Sequence, residues 1–140
     1  MENQAETPEP LSIAKGNYAP FQPGDDEAVF ELLIQSQDAY ESLAREFEKG
    51  GFSDPFPEID FSKRMVAAVW LGESNSSGYN IEITGFDEQE DRFQIWVRNE
   101  FPDPSCAYLT VITTPFHIVS LPRSDKPVTF RFNRVMNSCN

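Results

Sequence analysis

Apolar residues along this chain fall into short runs separated by polar turns, a pattern typical of a mainly-β fold. Residues 27–35, 79–83, 92–101, 107–113, 116–121 and 127–135 are alternating or rich in β-branched and aromatic side chains, and each predicts a strand. Residues 65–71 are apolar without alternation, which predicts a central strand covered on both faces. We therefore expect an antiparallel sheet or sandwich of about six to seven strands.

One segment has a helical period. Its apolar positions recur at the spacing of one helix face, at Tyr40, Leu43, Ala44 and Phe47. Ser36 precedes it as a capping residue, and the glycines at 50 and 51 end it. The expected fold class is therefore α+β, mainly β, with one amphipathic helix near the N-terminus covering one face of the central strand. Residues 27–35 are also compatible with a helix, because they contain Glu, Ala and Leu.

The turn at residues 72–78 lies between the predicted strands 65–71 and 79–83, and it predicts a hairpin with a small polar tip. Loops held on a rigid sheet commonly carry recognition, although a plain hairpin connection explains the same residues equally well. Trp96 falls on the polar side of its strand, where it could anchor a partner. The candidate binding residues are Ser74, Asn75, Ser76, Ser77, Gly78, Tyr79 and Trp96.

Three segments follow from composition. Residues 1–26 are rich in Glu, Pro, Gln and Asn, which predicts a disordered acidic tail. Residues 27–135 form the predicted mainly-β domain, and residues 136–140 are expected to fray.

The charge balance makes some classes of binding partner unfavourable. The net charge is −12, which argues against nucleic acid and disfavours anionic lipid, because both attract Lys and Arg. An acidic surface is typical of solubility or of a basic partner, and solubility is the more common reason. The chain has no apolar run long enough for a transmembrane segment, and residues 1–10 lack the pattern of a secretory signal.

Catalytic signals are weak. His117 is the only histidine, but it lies inside an apolar strand pattern, which favours a structural role over acid–base chemistry. No Cys/His cluster or glycine loop indicates a metal or phosphate site, so we expect no enzyme, no metal and no cofactor. Cys106 and Cys139 could form a disulfide in an oxidising compartment.

Several separated motifs resemble the C-terminal domain family of the protease complex subunit PrcB. They are IDFSKRMVAAVWLGE, then SNSSGYNIEI, then CAYLTVITTPFHIVSLP, and they occur in the family's order. The likeness extends over about residues 28–132. It differs at Ser77, where the family often has glycine.

The resemblance implies a non-catalytic protein-interaction domain, with an accessory subunit of a bacterial protease complex as its specific form. It also implies the cell envelope or periplasm, although no signal peptide is visible in this chain. The alternative is a protease inhibitor using residues 72–79, because the turn resembles the NPTTGY loop of chagasin-type inhibitors. Their second signature, Arg-Pro-Trp, is absent. The oligomeric state is left open.

Overall fold

The computed structural model describes residues 9–20 and 28–138 of the chain. Within these ranges seven strands form two packed sheets, and one helix covers the first sheet. No helix in these ranges is long and apolar enough to cross a membrane. In chain order the elements are β1 (Leu11–Gly16), β2 (Val29–Ile34), α1 (Gln37–Lys49), β3 (Arg64–Leu71), β4 (Asn80–Glu88), β5 (Phe93–Pro102), β6 (Phe116–Pro122) and β7 (Val128–Asn137).

The predicted α+β, mainly-β fold is confirmed. The first sheet has the order β1-β6-β3-β2, and the second has the order β4-β5-β7. All neighbours are antiparallel except β5 and β7, which run parallel, so the expectation of a purely antiparallel sheet is wrong there. The chain leaves β5, adds β6 to the first sheet and then returns as β7. Such a long crossover is what a parallel neighbour requires.

The helix prediction is confirmed. The Ser36 hydroxyl accepts a hydrogen bond from the Ala39 amide, which supplies the N-cap. Tyr40, Leu43 and Phe47 are buried against the outer face of the first sheet. Just past the helix, Gly51 has a φ of 95°, a conformation that glycine adopts without strain.

The central strand is also confirmed. Met65, Ala67 and Val69 point into the core between the sheets, and each is fully buried. The alternate residues Val66 and Ala68 point the other way, under the helix. Burial on both faces explains why this strand lacks the alternation of a half-exposed one.

The predicted hairpin is wrong. β3 belongs to the first sheet and β4 to the second, so the residues between them cross from one sheet to the other. Both neighbours of β3 come from elsewhere in the chain, namely β2 and β6. A polar turn between two strands therefore did not distinguish a hairpin from a crossing.

The predicted chain ends also need correction. Leu11–Gly16 lies inside the predicted disordered tail, yet it forms β1 and pairs with β6. At the other end β7 continues through Asn137, into the segment expected to fray. In both places tertiary pairing supplies backbone hydrogen bonds that composition does not reveal. Residues 1–8, 21–27 and 139–140 lie outside the described ranges.

Candidate interaction surface

The polar turn is bonded to the rest of the protein. Ser74 is only 8 % exposed, and its backbone exchanges two hydrogen bonds with Thr113, of 3.0 and 2.9 Å. The hydroxyls of the two residues lie 2.9 Å apart, and the Thr113 hydroxyl donates to the Ser76 carbonyl at 3.1 Å. The expected free tip is therefore not what the structure shows at Ser74.

The second half of the turn is also hydrogen-bonded to another segment. The Ser77 amide donates to the Leu109 carbonyl at 3.0 Å, and the Leu109 amide donates to the Ser77 hydroxyl at 2.9 Å. Gly78 has a φ of 100°, and an added Cβ would lie 2.6 Å from the Tyr108 ring. Tyr79 packs against the core between the sheets. Of the six candidate residues in the turn, only Asn75 is classed as exposed.

The structure instead exposes a segment that the sequence assigned to a strand. Within the described ranges, residues 107–113 form no strand, and their one strand-like contact is the antiparallel pairing of Thr113 with Ser74. Leu109 is 70 % exposed, Ile112 57 % and Val111 37 %. We call residues 109–112 the apolar loop.

The apolar loop is anchored at its base and open along its length. The Tyr108 hydroxyl donates to the Asn137 carbonyl at 3.1 Å and accepts from the Asp103 amide at 3.2 Å. Ser77 and Thr113 hold the two ends of the loop through the bonds described above. Residues 110–112 make no backbone hydrogen bond to any other part of the chain that the structure describes. The apolar loop thus combines three exposed apolar side chains with a short stretch of backbone that has no partner in the described part of the chain.

Trp96 lies elsewhere. It is 39 % exposed on the outer face of the second sheet, as its position in the alternation predicted, and the Arg131 guanidinium lies 5.6 Å from its ring centre. The turn meets β5 where Asn80 pairs with Glu100, four residues further along the strand. That spacing is about 13 Å. Trp96 and the turn therefore do not form one site.

His117 is built into the core. It is 4 % exposed, and its Nδ1 accepts a hydrogen bond from the Ile83 amide at 3.0 Å. Because Nδ1 is the acceptor, the proton of the neutral ring is on Nε2, 3.0 Å from the Ser12 hydroxyl. Burial, helped by the nearby Lys15 charge, lowers the pKa of His117 to about 4. The neutral ring thus joins β6 to β1 and to β4 in the other sheet.

Two further candidates concern cysteine and metal. Cys106 is disulfide-bonded in the structure. Its expected partner Cys139 lies outside the described ranges, so that pairing stays a prediction. In residues 9–20 and 28–138, no three His, Cys, Asp or Glu side chains are grouped so that they could hold a metal ion.

A comparison with protein families tests the resemblance that the motifs predict. Residues 65–122 match the family model described as PrcB C-terminal. The predicted resemblance is confirmed. The match runs from β3 through β6 and includes both the polar turn and the apolar loop. No curated protein and no solved structure matches the chain.

Proposed function

We propose that this chain is a non-catalytic protein-interaction domain, an accessory subunit of a protease complex that contacts its partner through the apolar loop. The observation that carries the proposal is the exposure of three large apolar side chains, Leu109, Val111 and Ile112, within four residues of an anchored segment. The PrcB C-terminal match supports the link to proteases, and the matched residues contain the loop.

The geometry of the loop suits binding. Burying apolar surface contributes about 25 cal/mol per Å², so three large side chains supply a useful core for an interface. The bonds to Ser77 and Thr113 already hold the loop in place, which lowers the entropy cost of ordering it on association. The unpaired backbone of residues 110–112 offers further hydrogen bonds to an extended partner segment.

The state of the two reactive residue types supports a non-catalytic role. Both ring nitrogens of His117 lie within hydrogen-bond distance of protein groups, and burial keeps the ring neutral. Cys106 is committed to a disulfide. Neither is available as a nucleophile or as a general base in this state.

The proposal is tested by affinity purification from the organism that encodes the chain, with proteases in the eluate identified by mass spectrometry. The double variant Leu109→Asp/Ile112→Asp should retain about tenfold less protease than the wild type, because it places two charges in the contact. Asn75→Arg changes the exposed residue of the turn and is the matched control, expected to retain the protease.

Two results would contradict the proposal. One is equal protease recovery with the loop variant, and the other is an eluate without any protease. The inhibitor alternative predicts something different, namely tight inhibition of papain by the purified chain that Asn75→Arg removes. That result would replace the accessory role with inhibition through the turn.

A further inference from the structure

A second surface lies at the other end of β6. A groove of about 360 Å³ opens between β1 and the loop that precedes β3. Its volume falls in the range of small-ligand pockets. Its lining contains the apolar residues Leu11, Ile13, Pro57 and Ile59, and also Lys63, Arg64 and Ser120.

Arg64 has no acidic partner. Its guanidinium donates to the Ser120 hydroxyl at 2.6 Å and to the Ser120 carbonyl at 3.0 Å. No carboxylate in the described part of the chain forms a salt bridge with it. Its Nη1 makes no hydrogen bond there either, so this edge of the guanidinium remains open.

The other half-buried arginines differ in this respect. Arg98 pairs with Glu82 at 2.9 Å and with Glu100 at 3.2 Å, and Arg123 lies 3.9 Å from Asp125. The chain has 23 acidic and 11 basic residues, so carboxylates are the more abundant partners. Arg64 is therefore the half-buried arginine without a carboxylate partner in the described part of the chain, which leaves it available to an anion from outside.

The acidic residues at the rim do not supply that anion. Glu58 and Asp60 line the groove but are exposed to solvent, where their charges are screened. The Asp60 carboxylate accepts from the Ser62 hydroxyl at 2.6 Å and from the Ser62 amide at 3.0 Å. These bonds keep the pKa of Asp60 below its ordinary value. The carboxylate is therefore ionised and already engaged.

We propose that this groove binds the carboxyl terminus of a partner polypeptide whose last residues are apolar. The terminal carboxylate would pair with Arg64, since a guanidinium fork suits a carboxylate. The last apolar side chains would pack between Leu11 and Ile59. β1 pairs only with β6 in the part of the chain described, and its second edge offers backbone groups to an extended peptide.

The free edge of β1 runs beside the lining residues Leu11 and Ile13, and it favours a peptide over a small carboxylate, which has no backbone to pair with a strand. A second copy of this chain is disfavoured by the net charge of −12 that each copy carries. Ser120 and Thr113 lie on opposite sides of Phe116, where β6 begins, so the groove and the apolar loop are separate surfaces. The inference does not depend on the proposed function.

The test is a ¹H–¹⁵N NMR titration of the whole chain with the peptide acetyl-Thr-Val-Leu-Val bearing a free carboxylate. Saturable shifts are expected at the amides of Leu11, Ile13, Ile59 and Arg64. The same peptide as a C-terminal amide should bind about tenfold more weakly, because it lacks the charge that Arg64 meets. The Arg64→Gln variant should weaken binding of the free carboxylate by about the same factor.

Matched variants keep the result decisive. Arg45→Gln removes an exposed arginine from α1 and should leave the affinity unchanged. Leu11 is 59 % exposed, so Leu11→Glu should fold normally while repelling the carboxylate. Equal affinity of the acid and the amide overturns the proposal, as does equal loss with Arg45→Gln and Arg64→Gln. Binding of octanoate without the peptide, or a dimer formed through the groove, also overturns it.

Discussion

The polar turn at residues 72–79 and the apolar loop at residues 109–112 differ in exposure, and the difference is the opposite of what their compositions predict. The turn is small and serine-rich, yet Ser74 is buried and bonded to Thr113. The loop has the composition of a strand, yet Leu109 and Ile112 are mostly exposed. The two regions touch, because Ser77 and Leu109 exchange hydrogen bonds.

The difference shows what decides exposure in a loop. A short hydroxyl side chain can satisfy the backbone of a neighbouring segment, so serine and threonine here hold two irregular segments together. An apolar side chain cannot form such hydrogen bonds, and it is buried only if another element covers it. In the part of the chain that the structure describes, the backbone of residues 109–112 is bonded only at Leu109, and the three apolar side chains are exposed. Under the proposed function, a partner protein covers these side chains.

The comparison is tested most strongly at Gly78. Gly78→Ala should cost about 3 kcal/mol of folding free energy, because the residue has a positive φ and its Cβ would meet Tyr108 at 2.6 Å. Gly51 has a φ of 95° with nothing near its Cβ, so Gly51→Ala should cost only about 1 kcal/mol. Urea unfolding measures both. Equal costs would mean that the turn is not packed against Tyr108.

Acid should affect the buried core and not the apolar loop. The core contains His117, whereas the apolar loop contains no titratable group. The pKa of His117 falls from about 6.5 unfolded to about 4 folded, so the unfolded chain binds the extra proton between these values. The contribution of the neutral His117 ring to the free energy of unfolding is fully present above pH 6.5. As the pH drops to 4, the free energy of unfolding should fall by up to about 3 kcal/mol. Chemical unfolding at several pH values measures the loss. His117→Gln should flatten most of this dependence, and an unchanged slope would contradict the buried neutral ring.

A smaller effect is expected at the hydroxyl pair. Ser74→Ala should cost about 1–2 kcal/mol, because it leaves buried groups of Thr113 and the turn with fewer partners. Thr110→Ala, in the exposed loop, should change stability by less than about 0.5 kcal/mol. A double-mutant cycle with Thr113→Ala isolates the coupling between the two hydroxyls, and zero coupling would refute their role in joining the segments.

The smallest effect on stability belongs to the apolar loop. Leu109→Ser and Ile112→Ser should each shift the unfolding free energy by less than about 0.5 kcal/mol, since both side chains are already in water. Thermal unfolding of the isolated chain is the measurement. A loss of several kcal/mol would show that these side chains are buried in solution and would remove the proposed surface.

The parts predictable from sequence are those with a local period. The helix follows from Tyr40, Leu43 and Phe47 at helical spacing, and the central strand from an unbroken apolar run. β1 was not predictable, because the sequence LSIAKG has no clear strand pattern and its pairing partner β6 lies about a hundred residues away. The sequence of the apolar loop predicts a strand that the structure lacks, because β propensity describes side chains and not the presence of a neighbouring strand.

The candidate site was predictable only in part. The turn and the loop both lie in the motifs that resemble the family, but which of them faces outward depends on long-range hydrogen bonds such as Ser74 with Thr113. Trp96 was placed correctly on the polar face by alternation. Arg64 gave no signal at all, because the lack of an acidic partner is a property of the folded molecule and not of the sequence around it.

The proposed function depends on which of the two segments a partner covers, and hydrogen exchange measures this directly on the chain alone and on the chain bound to the protease that affinity purification recovers. The amides of residues 110–112 should exchange fast in the free chain and about tenfold or more slowly in the complex. The amides of Ser74 and Ser77 are bonded to Thr113 and Leu109, so they should be slow in both states. New protection confined to residues 74–79, with none at 110–112, would contradict the account.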